Sequence, residues 1–380
     1  MHAATASTQG RDAYTVTRIQ FTELAGIQDE WLALLERSDA NPWFLSPFWL
    51  STWWTTWGSK QADAEDIVLI ARDEQGGLVG LAPLYRITDA VRGRVRANRI
   101  QFIGANFRRA GITRTEYLDF VLDQENRDAV LKALLDHLFG KFDFDELCLS
   151  DMRLDSPSRP IILATGERSG ALIRYADHDS STVLTLDGTF EDYLATLGKN
   201  TRLRVFNRRK VLEKEGEVRL RSFSRDELLE GFDILSRLFE SRWGSPIFTP
   251  EQLEFQTSLV AAMPETAELA LTTVVLDSEP VSAVYDIRYG GVEYNFLQGF
   301  KADVHPKVSM GMLHFGYAIE RAYASGIRHF DFLLGKGKSS DYKEHFKGET
   351  VQTNTVQVVR KPILKLLYRL YGLRGRWLEN

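Results

Sequence analysis

Hydrophobic positions along the chain switch between two periods. Residues 14–19 alternate as a strand does, and residues 27–35 then carry apolar side chains at helical spacing. Ser46-Pro47 opens a second helix, with serine as cap and proline in the first turn. The aromatic cluster Trp43 to Trp57, interrupted by serine and threonine, reads as a buried helix of a soluble domain. Apolar runs at 67–72 and 78–86 flank Asp73-Glu74-Gln75-Gly76-Gly77, a hairpin signal. Strands are expected at 99–103 and 117–122. A helix over 127–139 places Val130, Leu131, Leu134, Leu135 and Leu138 on one stripe, and a strand around Cys148 follows.

Residues 151–160 are polar and proline-containing, which suggests a linker. Beyond them the pattern predicts a helix at 161–168, a strand at 181–186, and helices at 190–197 and 200–215. A strand at 217–223 precedes a capping box formed by Ser224 and Glu227, which opens a helix running to Arg242. Another helix covers 250–262. Strands at 268–276, 281–288 and 292–299 form a meander with turns at 277–280 and 289–291. A helix at 311–324 ends in Ser325-Gly326, and a strand at 328–334 closes the series. Both halves therefore run helices, antiparallel meander, helix, strand. That order predicts an α+β protein with two domains of one type. The boundaries expected are 1–12 for a flexible N-terminus, 13–175 and 176–360 for the domains, and 361–380 for a basic amphipathic tail. Docking of that tail on its own domain is preferred to weak binding at anionic lipid or a polysaccharide synthase.

Composition narrows the function. A formal charge of −5 over 380 residues gives no global reason to expect nucleic acid or an anionic membrane. The single cysteine, Cys148, excludes an intrachain disulfide and a cysteine-rich metal site. No secretory signal is expected in MHAATASTQGRDAY, and no apolar run is long enough to span a bilayer. His305, His314, His329 and His345 lack metal-ligand spacing. A cytoplasmic protein without a metal is the expectation.

One stretch invites a nucleotide reading. DFLLGKGKSSDYKEHF contains Gly337-Lys338-Ser339, the end of a phosphate-binding loop pattern, but Phe332 stands where the first glycine is required. Chemistry points elsewhere in the same segment. Asp331, between Phe330 and Phe332 at a strand end, suits a partly buried base. The helix start near Gly311 offers free amides at residues 310–313 as an anion site.

These residues carry a resemblance. The run 305–313 (HPKVSMGML), Ala318-Ile319-Glu320-Arg321-Ala322, residues 326–332 (GIRHFDF), Gly335, and Tyr342-Lys343 with Phe346 resemble the CelD-like acetyltransferases of the GNAT superfamily, linked to cellulose and other exopolysaccharide biosynthesis. Residues 41–54 and 81–86 agree with that family. The basic helix after Lys199 and the helix–strand–Asp segment are also similar to the Fem-type aminoacyltransferases. The resemblance implies tandem GNAT-like domains, with mixed, mostly antiparallel sheets flanked by helices. It implies transfer of an acetyl or acyl group from acetyl-CoA or another acyl-CoA to an amine or hydroxyl, such as one on a sugar precursor, without DNA as a partner. Its site would comprise Asp331 as base, Lys343 as oxyanion donor and Tyr342 as acid. Ser309, Met310, Gly311 and Met312 would meet the donor's pyrophosphate. Phe296 and Gln298, on one face of the last meander strand, would lie beside the acyl group. Lys199, Arg202 and Arg209 would bind substrate phosphates. Val308 and Leu313 depart from the usual coenzyme A loop, [RQ]-x-x-G-x-[GA]. Two alternatives therefore stay open: an enzyme using aminoacyl-tRNA, and a catalytically inactive GNAT scaffold that binds a polysaccharide synthase.

Overall fold

The computed structural model describes residues 14–91, 95–105, 111–335 and 343–376. Strands β1 (Thr15–Ile19), β2 (Glu65–Arg72), β3 (Leu78–Val91), β4 (Val95–Phe102), β5 (Val121–Leu122), β6 (Glu146–Arg153) and β7 (Leu172–Thr185) come from the first half. The second half supplies β8 (Val218–Ser222), β9 (Glu268–Leu276), β10 (Glu279–Tyr289), β11 (Val292–Phe300), β12 (His329–Asp331) and β13 (Glu349–Val359). All thirteen join one sheet in the order β1-β2-β3-β4-β6-β13-β7-β12-β11-β10-β9-β8, with β5 on β3.

That order is close to a palindrome, and its centre explains why two expected sheets are one. Each half contributes a meander whose last strand pairs in parallel with a later strand, β4 with β6 and β11 with β12. The final strand of each half then crosses over. β7 pairs with β12, β13 pairs with β6, and β7 and β13 pair with each other. The boundary expected after residue 175 thus falls inside β7. The sequence reading had no counterpart to β13. Its residues are buried without interruption from Thr353 to Val359, as befits a central strand covered on both faces, so polar–apolar alternation is muted.

Aromatic packing also ties the halves together. Trp43, Phe44 and Trp49 are fully buried. Trp43 packs on Tyr289 and Tyr294, and Trp49 stacks on Phe296. The helix Pro47–Trp53 that carries Trp49 is capped by Ser46, whose side chain accepts the Trp49 amide, as its sequence requires.

Three other expectations change. The helix expected at 200–215 is broken into Lys199–Arg202, a widened turn Leu203–Asn207, and Arg209–Leu212. In the widened turn Arg208 N–H donates to Leu203 C=O at 3.1 Å. The cause is a close approach: a Cβ on Gly316 would lie 1.8 Å from the Val205 carbonyl oxygen. The strand expected at 117–122 shortens to Val121–Leu122, and the preceding loop is buried at Thr115, Glu116, Tyr117 and Leu118. The polar segment at 151–160 is no free linker, since Asp151, Ser156 and Ser158 are buried. The tail forms the helix Pro362–Arg376, docked through Leu364 and Tyr368, whose hydroxyl donates to Glu146 at 3.0 Å. Among the described residues no helix is long and apolar enough to cross a membrane.

Candidate active site

The site is built where β11 and β12 part. Their parallel pairing ends at Tyr294 opposite Asp331. Beyond that point the two chains diverge for different reasons. The segment after β12 stays with β7, since Phe332 N–H donates to Thr182 C=O at 3.0 Å. On the other side, β11 bulges: Tyr285 of β10 faces Leu297 while Asp286 faces Asn295, so Phe296 is the extra residue. The edge of β11 from Asn295 to Phe300 is left without a strand partner among the described residues.

The bulge corrects one expectation. Phe296 and Gln298 do not share a face. The Phe296 ring lies against Trp49 and Tyr285, whereas Gln298 Nε2 donates to Gly311 C=O at 2.9 Å on the other side of the sheet. Gly311 is needed for that contact, because a Cβ there would stand 2.7 Å from the Phe300 ring. The helix Met310–Ala324 begins at Ser309, whose side chain makes no capping bond. Its first regular bond runs from Leu313 N–H to Ser309 C=O at 2.9 Å. Leu313 is therefore not among the free amides. Those of Met310, Gly311 and Met312 precede the helical ladder and have no acceptor among the described residues.

Asp331 sits where the β11–β12 pairing ends, almost wholly buried. Three donors converge on its Oδ1: Ser181 Oγ at 2.6 Å, Leu333 N–H at 2.8 Å and Tyr117 Oη at 3.1 Å. Burial raises its pKa above the ordinary carboxylate value, while those three bonds and the Lys343 ammonium pull it back. Lys343 Nζ donates to Phe332 C=O at 2.8 Å and Leu333 C=O at 2.9 Å. Two of its three protons are thus engaged, and the third has no partner among the described residues. Burial lowers the Lys343 pKa, against the opposing pull of Glu116, Asp331 and Asp179.

The neighbouring Glu116 is fully desolvated. Its Oε2 accepts Leu334 N–H at 2.6 Å, and burial pushes its pKa well above the usual range despite the nearby Arg114. Arg114 itself joins Asp151, through Nε at 3.2 Å, to Asp179, through Nη1 at 2.6 Å. Three non-glycine residues here hold left-handed backbone, Tyr117 with φ 53°, Asp151 with φ 54° and Leu333 with φ 57°. Such strain persists only where surroundings enforce it, and it concentrates at functional sites.

The basic residues divide. Arg209 pairs with Glu320 and lies over the Tyr317 ring, 3.8 Å from its centroid, while its Nε and Nη2 are buried without a hydrogen-bond partner among the described residues. Arg202 is half-buried and Lys199 exposed, each without an ionic partner among the described residues. The widened turn lies between Arg202 and Arg209, so the two are not on one regular helix. Tyr342 and the Gly337-Lys338-Ser339 triplet lie outside the described residues. Cys148 is buried, and burial pushes its thiol pKa up, which fits a packing role. Among the described residues no cluster of His, Cys, Asp or Glu is arranged to hold a metal.

Residues 199–344 match the family model described as an acetyltransferase (GNAT) domain. That span is under half of the chain, yet it holds every site residue expected from sequence. A crystal structure of FemX superposes with a TM-score of 0.61 at 12% identity, covering 93% of this chain and 99% of that one. A conserved protein of unknown function from Bacteroides thetaiotaomicron gives 0.52 at 10% identity, covering 90% of this chain and 98% of the other. A tandem GNAT protein from the clavulanic acid biosynthesis pathway gives 0.47 at 12% identity, covering 92% and 99%. No curated protein sequence matches. The chain has an α+β fold with a large, mostly antiparallel sheet flanked by helices, and residues 199–344 of it match a GNAT domain.

Sequence reasoning missed Arg114, Glu116, Tyr117 and Ser181, all outside the GNAT match. One signal was available: the run Thr115-Glu116-Tyr117-Leu118-Asp119-Phe120 sets two acids among bulky apolar residues. Acids in such a run are either exposed alternately or buried with partners.

Proposed function

We propose that the protein transfers an acyl group from an acyl-coenzyme A to an amine or hydroxyl acceptor, where β11 and the segment after β12 part. One observation carries this reading: pairing of β11 with β12 stops at Tyr294 and Asp331, so the edge of β11 beyond it has no strand partner among the described residues. An extended, amide-bearing arm fits such an edge by strand-like hydrogen bonding. The uncapped amides of Met310, Gly311 and Met312 suit the donor's phosphates. Acyl-coenzyme A would supply an activated thioester carbonyl.

The chain's own groups would serve three needs. Asp331, when ionised, takes the proton that the attacking nitrogen or oxygen loses; the thioester C–S bond then breaks and coenzyme A leaves as the thiol, Tyr342 supplying its proton. The remaining Lys343 proton meets the oxygen on which negative charge develops. Arg202 and Lys199 attract an anionic part of the acceptor. The sequence resemblance supports an acceptor in exopolysaccharide or cell-envelope synthesis. The aminoacyl-tRNA reading draws on Arg202 and Arg204, which lack acidic partners among the described residues.

Calorimetric titration with acetyl-coenzyme A tests the donor. One site per chain is expected, and it should be lost in the presence of excess coenzyme A. Heat-silent mixing with a protein that is folded by circular dichroism would overturn the proposal.

A further inference from the structure

The structure assigns to Tyr117 and Ser181 a role beyond packing: we propose that both are positioning residues that fix the Asp331 carboxylate, one oxygen held and the other free to take a proton. This deepens the acyl-transfer reading and rests on it for the meaning of that proton. Neither residue lies in the segment that matches the GNAT domain.

The geometry is asymmetric. Oδ1 receives Ser181, Tyr117 and the Leu333 amide, while Oδ2 accepts nothing among the described residues. A carboxylate oxygen offers about two lone-pair directions, so three donors saturate Oδ1. The proton acceptor of this group is therefore Oδ2. A carboxyl free to rotate would present either oxygen; this one is locked.

Both hydroxyls arrive from the first half of the chain, because of the strand exchange. Ser181 lies on β7, which pairs with β12 so that Asp331 stands opposite Val183. Tyr117 comes from the loop before β5 and adopts left-handed backbone at φ 53° to reach across. Its neighbour Glu116 anchors the same loop by holding Leu334 N–H at 2.6 Å. A tyrosine needed only as apolar filling gains nothing from that strain, since phenylalanine fills the same space.

Removing either hydroxyl weakens support for the ionised form. The charged and titratable groups around Asp331 are Glu116 and Tyr117 on the loop, Lys343 on its short helical turn, Tyr294 on β11 and Arg153 at the end of β6. None is removed by Ser181→Ala, and Tyr117→Phe removes only the hydroxyl. The Asp331 pKa should then rise further.

The test reads Asp331 directly. In protein labelled with carboxyl-¹³C aspartate, Asp331 is assigned through Asp331→Asn, and its resonance is titrated in the wild type, Tyr117→Phe and Ser181→Ala. Each variant should move the midpoint upward by about one pH unit. In parallel, thiol release from acetyl-coenzyme A with glucosamine as acceptor probe gives kcat/KM against pH. Its acidic limb should move by the same amount, with KM for the donor unchanged. Unmoved midpoints in both folded variants would overturn the assignment whatever the activity. Shifted midpoints in a protein that releases no thiol would uphold the assignment and count against acyl transfer instead.

Discussion

At Asp331 two effects of opposite sign meet on one carboxyl group. Burial favours the neutral acid, and three donors with Lys343 favour the anion. Asp331→Asn keeps the shape and an oxygen for the same donors, so melting should change little while turnover falls by at least about 100-fold, the usual worth of a positioned base. Equal turnover in a rate assay would remove Asp331 from the chemistry. Lys343→Met has a different signature. It orphans the Phe332 and Leu333 carbonyls, so both turnover and stability should drop, the latter by about 1–3 kcal/mol in urea unfolding. Legibility at this scale followed chain distance. Asp331 was readable from its place at a strand end between phenylalanines. Glu116 and Tyr117 were not, since the groups they hold lie 218 and 214 residues away.

Elements were legible where periodicity was clean. The capped helices Pro47–Trp53 and Pro250–Ala262 start where Ser46 and Thr249 say they should. The basic segment after Lys199 failed that test because its conformation answers to a neighbour. Val205's carbonyl presses on Gly316, and the helix widens to accommodate it. Gly316→Ala would put a methyl inside that contact. Thermal or urea unfolding should register a loss of about 1–3 kcal/mol, the range for overpacking, and a stability equal to wild type would show that the contact relaxes freely. The bulge at Phe296 is likewise invisible in sequence. Nothing in Tyr294-Asn295-Phe296-Leu297-Gln298 announces an extra residue, and strict alternation put Phe296 and Gln298 on the wrong pair of faces.

For the whole molecule, strand exchange is the governing feature. With β13 between β6 and β7, neither half closes its own sheet. One hydrophobic cluster runs from Phe21 to Val358 across both. Two independent domains would melt separately; this chain should unfold in one calorimetric transition, with equal calorimetric and van't Hoff enthalpies. Two resolved transitions would contradict the interlocking. The same exchange brings Ser181 beside Asp331, and so makes the candidate site the joint product of halves that sequence reading had set apart.

What the sequence determined by itself is local: the order of elements, the α+β class, their repetition in two halves, and the acid at the end of β12. Periodicity, caps and turn residues encode these within a few residues of each other. What only the tertiary structure decided is which strands cross over, where β11 opens, and which side chains meet Asp331. Those outcomes depend on contacts between positions up to hundreds of residues apart, and no short-range pattern records them.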